Sequence, residues 1–226
     1  MPPLDPKHPR FLRLVSAGVL GAGALHETRN LLAVASTSLF LARQDRSDDG
    51  RLLRHLEKAS AMVVRAQEVA GAILSLAQGD PLPLSSCRAT EILTLVHELV
   101  PCPPSLLLTE TVTPEDLAFR CHLLLFPQAL ANLYLNAIEA QRNQEHSAIR
   151  TSIRFHEGLI EVLVEDDGPG IPTTVRATLF EPLVSGKADG TGLGLAVVRA
   201  IIEAHSGSIE VLPGERGAAF LVRLPA

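Results

Sequence analysis

Two stretches in the first third of the chain repeat apolar or small residues in alternating steps of four and three. The first runs Leu14, Gly18, Gly21, Leu25, Thr28, Leu32, Ala35, Leu39 and Ala42; the second runs Leu52, Leu56, Ala59, Val63, Ala66, Ala70, Ile73 and Ala77. That spacing puts each set on one face of a helix. The polar segment Gln44–Gly50 between them ends in glycine and reads as a turn. Residues 10–79 are therefore expected to form an antiparallel helical hairpin, each helix roughly 40 Å long at 1.5 Å per residue. Two helices alone cover such stripes poorly, so a second copy is expected to complete a four-helix bundle. Residues 1–9, with four prolines, read as a disordered or linker stub.

The texture changes after Gly79. Gly79–Ser86 breaks the helical period, and residues 80–87 read as a linker. Beyond it, Arg88–Val100 and Leu123–Gln141 read as helices, and Ser105–Val112 and Leu117–Cys121 as strands. Ala148–His156 and Leu159–Glu165 read as a strand pair turned at Glu157-Gly158. Thr191–His205 reads as a helix, and Ser208–Leu212 with Ala218–Leu224 as a closing hairpin. The expectation is two domains: an all-α hairpin, then a mixed α/β domain over residues 88–226.

Composition narrows the functional classes. Hydrophobic residues make up 46% of the 226 and aromatics only 4%, so the cores must be aliphatic. The formal net charge of −5 supplies no basic field for nucleic acid, which is not expected as a partner. Three cysteines without CxxC spacing argue against a disulfide framework or a zinc site and favour the cytoplasm. Lys7, Arg10 and Arg13 precede an apolar run, Leu14–Leu25, that superficially resembles a leader peptide. It is too short to span a bilayer and continues into the helical pattern, so no membrane span is expected.

Three motifs in the second domain suggest chemistry. In Asn132–Ala140 (NLYLNAIEA), Asn132 and Asn136 project from one helix face, and amide oxygens suit a hard cation such as Mg²⁺. In Glu165–Pro172 (EDDGPGIP), Asp166 ends a strand and can accept a hydrogen bond from an exocyclic amine, while Gly168 and Gly170 permit close backbone approach. In Asp189–His205, Gly190, Gly192 and Gly194 lead into a helix whose first amides favour phosphate. Ser185–Ala188 (SGKA) is not a P-loop, lacking the upstream glycine and the hydroxyl residue after the lysine. Taken singly, each motif has a structural reading: satisfied amides, an acidic turn, a glycine-rich loop.

In this order and spacing the trio resembles the N, G1 and G2 boxes of the ATPase family that includes histidine kinases, gyrase, Hsp90 and MutL. Leu179–Lys187 (LFEPLVSGK) resembles the F box and short ATP lid of histidine kinases. The resemblance covers roughly residues 88–226 and implies an α/β sandwich that binds ATP. By it, Asn136 and Asn132 would hold Mg²⁺ and phosphate oxygens, and Asp166 would read the adenine amine. Gly168 and Gly170 would shape the adenine pocket, and Gly190, Thr191, Gly192, Leu193 and Gly194 would lie along the phosphates. Lys187 would approach the γ-phosphate, and Phe180 would anchor the lid by packing. The family often has aspartate where this chain has His122, a departure expected to matter little.

In the first helix, the segment from Arg13 to Leu32 (RLVSAGVLGAGALHETRNLL) resembles the H box of histidine kinases, in the H-E-x-x-N form of the nitrogen-regulation kinases. His26, one residue past the seam position Leu25, would be the phosphoacceptor. Neutral imidazole is a good nucleophile at neutral pH, and Glu27 would accept its proton or hold the other ring nitrogen. Asn30, one turn on, would orient a water that dephosphorylates the partner, a response regulator receiver domain. The family often has proline after this asparagine; here Leu31 follows, which puts any bending-based signalling in doubt. Only 25 residues precede His26, so the signal is expected from an upstream sensor or a partner protein. The resemblance thus implies a homodimeric, ATP-dependent protein-histidine kinase. The alternatives are a related ATPase with another output and a degenerate kinase serving as a scaffold.

Overall fold

The computed structural model describes residues 37, 39, 40, 56, 59, 63, 82–100, 102–142, 144, 147–181, 184, 194–213 and 217–226. The chain divides into two compact units, Met1–Pro81 and Leu82–Ala226. In the first, Thr37, Leu39 and Phe40 are helical, as are Leu56, Ala59 and Val63. Ala59 is buried, whereas Leu39, Leu56 and Val63, three positions of the two apolar stripes, are exposed. His26, Glu27, Asn30 and the turn at Gln44–Gly50 lie outside the described residues.

The second unit is an α/β sandwich. Its strands are β1 (Ser85–Arg88), β2 (Leu106–Thr113), β3 (Ala118–Cys121), β4 (Ser147–His156), β5 (Leu159–Asp166), β6 (Ser208–Leu212) and β7 (Ala219–Pro225). Its helices are α1 (Ala89–Leu99), α2 (Leu125–Ala140), α3 (Thr173–Arg176) and α4 (Gly194–Ala204). The main sheet has the order β2-β4-β5-β7-β6, with β2 parallel to β4 and the other neighbours antiparallel. A separate two-stranded sheet joins β1 to β3. The segment read as a linker over 80–87 therefore ends in a strand: Ser85–Arg88 pair with Ala118–Cys121. The short helix Thr173–Arg176 was also not signalled by the apolar pattern.

Alternation on the sheet separates two faces. Ile149, Thr151 and Ile153 of β4 and Ile160, Val162 and Val164 of β5 are buried on one. The other carries a cross-strand ladder in which Glu161 accepts from Arg154 at 2.6 Å and from Arg223 at 3.2 Å. Those contacts, Arg154 first, hold the Glu161 carboxyl below its usual value against the pull of burial. The turn between β4 and β5 puts Glu157 at φ 50° and Gly158 at φ 81°, the left-handed pair that a two-residue hairpin needs.

The core between sheet and helices is aliphatic, with Ile92, Leu125, Leu130, Leu133, Ile201 and Ile202 fully buried. The chain's one tyrosine, Tyr134, ties α2 to the sheet. Its hydroxyl donates to Glu110 at 2.8 Å and lies 2.6 Å from the Thr151 hydroxyl. Tyr134 sits about 200° around the helix from both Asn132 and Asn136, so anchoring it turns the two asparagines away from the sheet. Gln141 fixes the helix end: its amide accepts from Ala148 N–H at 2.9 Å and donates to Ala148 O at 3.1 Å. No helix among the described residues is long and apolar enough to cross a membrane.

Candidate functional site

Asp166 closes β5 and is buried. Its Oδ1 accepts two backbone hydrogen bonds, from Gly168 at 2.7 Å and from Ala218 at 3.2 Å. Its own N–H donates to Ala218 O at 2.9 Å. Burial pushes the carboxyl above its ordinary value, and the two amide donors oppose that rise. One oxygen is thus pinned while Oδ2 has no hydrogen-bond partner among the described residues. Asp167 points elsewhere, to Arg150.

The glycines here serve the turn itself. A Cβ on Gly168 would lie 2.7 Å from Asp166 Oδ1, so the residue that donates to the carboxylate must lack one. Gly170 has φ +77°, and its Cβ would lie 2.9 Å from Gly217 O. Gly217, which the sequence pattern left inside a loop, is the tightest of the three. Its φ is +66°, and a Cβ would fall 1.6 Å from Asp166 O. Gly217 and Ala218 clamp the Asp166 turn from β7; the available signal was a glycine directly before an apolar strand.

A prediction follows from comparing two left-handed glycines. At Gly158 an added Cβ meets nothing within 4 Å, so Gly158→Ala should cost only backbone strain, about 1 kcal/mol. Gly217→Ala adds a clash with backbone and should cost on the order of 3 kcal/mol or more. Thermal melts of the two variants check this, and equal losses would contradict the clamp.

The Asp166 turn meets the helix bearing the asparagines. Gly168 faces Ala140, whose Cβ would be 3.3 Å from an added methyl. Ala140 is one turn beyond Asn136 and two beyond Asn132 on the same face. Asn132 and Asn136 are half-buried, and neither amide has a hydrogen-bond partner among the described residues. Helix α4, which packs against α2, opens at Gly194, where an added Cβ would meet open space. Among the described residues nothing around it demands glycine there. Lys187, Gly190, Thr191, Gly192 and Leu193 lie outside the described residues. Phe180 packs edge-on against Phe220 of β7, with centroids 6.3 Å apart, so it anchors by packing.

The structure therefore sets the turn of Asp166 and Gly168 against Ala140, one helical turn beyond Asn136 and two beyond Asn132. Residues 123–226 match the family described as "Histidine kinase-, DNA gyrase B-, and HSP90-like ATPase". The likeness to this ATPase family therefore lies within the second unit, Leu82–Ala226. The whole chain is similar to the sensor histidine kinase ZraS of Klebsiella oxytoca, 33% identical over 220 residues, covering 94% of this chain and 47% of that protein. It is also similar to the sensory histidine kinase/phosphatase NtrB of Rhodobacter capsulatus, 40% identical over 111 residues, 43% of this chain and 31% of that protein. Among solved structures, the catalytic domain of histidine kinase ThkA superposes with a TM-score of 0.55 at 27% identity, over 63% of this chain and 95% of that one. The chain spans about half the length of ZraS.

The residues of the ATPase domain fit a purine nucleotide and a hard cation. Among the described residues Asp166 offers one unengaged acceptor oxygen at the end of a strand, and the Asn132 and Asn136 amides, one turn apart along the adjoining helix face, have no hydrogen-bond partner.

Proposed function

We propose that the chain binds ATP with Mg²⁺ in its ATPase domain, phosphorylates itself on His26 and passes the phosphoryl group to an aspartate of a response regulator. The observation that carries this reading is the half-engaged Asp166 carboxylate beside the Asn132–Asn136 face. In that reading Asp166 Oδ2 accepts from the adenine amine, and Gly168 and Gly170 shape the pocket edge. Asn136 and Asn132 hold the cation through their carbonyl oxygens and donate to phosphate oxygens through their NH₂ groups. The amides from Gly190 to Gly194 meet the phosphates at the start of α4, with Lys187 toward the γ-phosphate. The cation, when bound, offsets negative charge on the transferring phosphoryl group.

The N-terminal unit supplies the acceptor. In our reading residues 10–79 form an antiparallel hairpin that pairs with a second copy as a four-helix bundle in the cytoplasm. The exposure of Leu39, Leu56 and Val63 supports that pairing. A lone pair of the neutral His26 imidazole attacks the γ-phosphorus, the bond to the β,γ-bridging oxygen breaks, and ADP departs. Glu27 takes the imidazole proton. Positioning, rather than covalent assistance, supplies most of the acceleration. Asn30 orients the water for the reverse task, dephosphorylation of the regulator; the kinase/phosphatase name of the Rhodobacter relative favours this second activity.

The test is the dependence of ATP affinity on Mg²⁺. Asn136→Ala should lower affinity about tenfold with Mg²⁺, the loss of one oxygen contact to a charged group, and much less in EDTA. Equal losses in both conditions would remove Asn136 from the metal.

A further inference from the structure

His122 stands directly before α2 and does the work of a helix cap. Its Nδ1 lies 3.3 Å from the N–H groups of both Leu124 and Leu125, accepting from the amides that a helix start leaves without carbonyl partners. Its own backbone N–H donates to His205 Nε2 at 3.0 Å. His205 follows the last residue of α4, and its Nδ1 lies 2.7 Å from Ile201 O. Geometry fixes the state of both rings. Nδ1 of His122 and Nε2 of His205 are acceptors, so neither carries a proton, and His205 donates through Nδ1. Two neutral imidazoles in series thus join the start of α2 to the end of α4. His205 is buried, with the Phe126 ring of α2 5.7 Å away.

We propose that His122 and His205 are positioning residues of the nucleotide site: as neutral rings they cap α2 and tie its start to the end of α4, and protonation of His122 loosens the cap, protonation of His205 releases the tie, and either weakens nucleotide binding. The inference rests on the nucleotide reading above, because α2 carries Asn132 and Asn136 and α4 begins at Gly194. A proton on His122 Nδ1 removes the acceptor that caps α2 and sets a positive charge at the positive end of the helix dipole. A proton on His205 Nε2 faces the His122 N–H, donor against donor. An aspartate at position 122 would cap the same amides without titrating near neutrality. The histidine therefore adds a pH response, contrary to the expectation that it matters little.

The neighbouring groups leave the two rings to each other. On α4, Arg199 pairs with Glu203 at 2.7 Å. On β3, Arg120 donates to Leu84 O, and the Cys121 thiol is held protonated by burial. The first turn of α2 contains no acidic residue, and Arg223 of β7 is engaged by Glu161 and Glu210. Burial lowers the proton affinity of both imidazoles, and for His205 the His122 ring adds to the effect. The neutral join therefore persists below the ordinary histidine value of about 6.5 and is lost only as pH falls through the lowered folded values.

The experiment follows ATP affinity of the full chain from about pH 7.5 to about pH 5. Wild type, His122→Asn and His122→Ala are compared, with the Leu124 and Leu125 amides observed by NMR. Asparagine caps without titrating. Dividing the variant profile by the wild-type profile cancels the protonation of ATP itself. At the upper pH His122→Asn should bind as wild type does, and His122→Ala about fivefold more weakly, the factor for a lost cap. Toward the lower pH wild type should lose at least that factor relative to His122→Asn, and only the wild-type amides should shift with the ring. Parallel profiles for wild type and His122→Asn would overturn the proposal. If the amides follow the ring but no chain binds ATP at any pH, the join is structural only and the nucleotide reading itself fails. Loss of binding in Asp166→Ala, with the pH response absent from wild type, would instead uphold the nucleotide reading and overturn this inference.

Discussion

Asp166→Asn should lose ATP affinity on the order of 100-fold, about 3 kcal/mol, while leaving the ATPase domain no less stable. The amide oxygen can keep the two contacts from Gly168 and Ala218 that pin Oδ1. The amide NH₂ then occupies the place of Oδ2 and presents a donor to a donor, the adenine amine. Removing the carboxylate also removes a burial cost. Because burial raises this carboxyl, its ionised form destabilises the fold. That deficit is absent below the ordinary carboxylate value, grows as pH rises from there to the raised folded value, and is complete above it. At neutral pH the variant should therefore melt at or above wild type. Calorimetric titration with ATP and a thermal melt measure both sides. Unchanged affinity would remove Asp166 from base recognition, and a large fall in melting temperature would mean that the carboxylate is chiefly structural.

His26→Gln should abolish phosphorylation of the chain and leave ATP affinity within about twofold of wild type. Glutamine keeps bulk and polarity but offers no imidazole lone pair, so no stable phosphoramidate can form. The separation of the two effects is what counts, because the nucleotide site lies in the unit Leu82–Ala226 and His26 in the unit Met1–Pro81. Asn30→Ala provides the contrast: labelling should persist while release of phosphate from the regulator slows. Full labelling of His26→Gln would transfer the acceptor role to another residue.

Much of the ATPase domain could be read from local pattern. The β4–β5 hairpin announced itself through apolar alternation and Glu157-Gly158, and α2 through its long apolar run. Three features did not, each for a long-range reason. Ser85–Arg88 is polar and follows a proline-rich stretch, and becomes a strand only because β3, reached after α1 and β2, offers it a partner. Gly217 reads as an ordinary loop glycine until it closes on Asp166, which lies far back along the chain. The cap supplied by His122 was visible as a departure from the resembling family, but its consequence depends on His205, brought alongside by the packing of α4 on α2. The site was legible where chemistry clusters in short motifs, as at Asn132, Asn136 and Asp166. The residues that hold those motifs in place were not.

The central claim is that ATP bound beside Asp166 gives its γ-phosphoryl group to His26. The most direct measurement is incubation of the full chain with Mg²⁺ and γ-labelled ATP, followed by splitting the labelled protein between acid and alkali. The account predicts label that survives alkali, is lost in acid and maps to the peptide containing His26. Label that survives acid, or an unlabelled chain that nonetheless binds ATP, would contradict it.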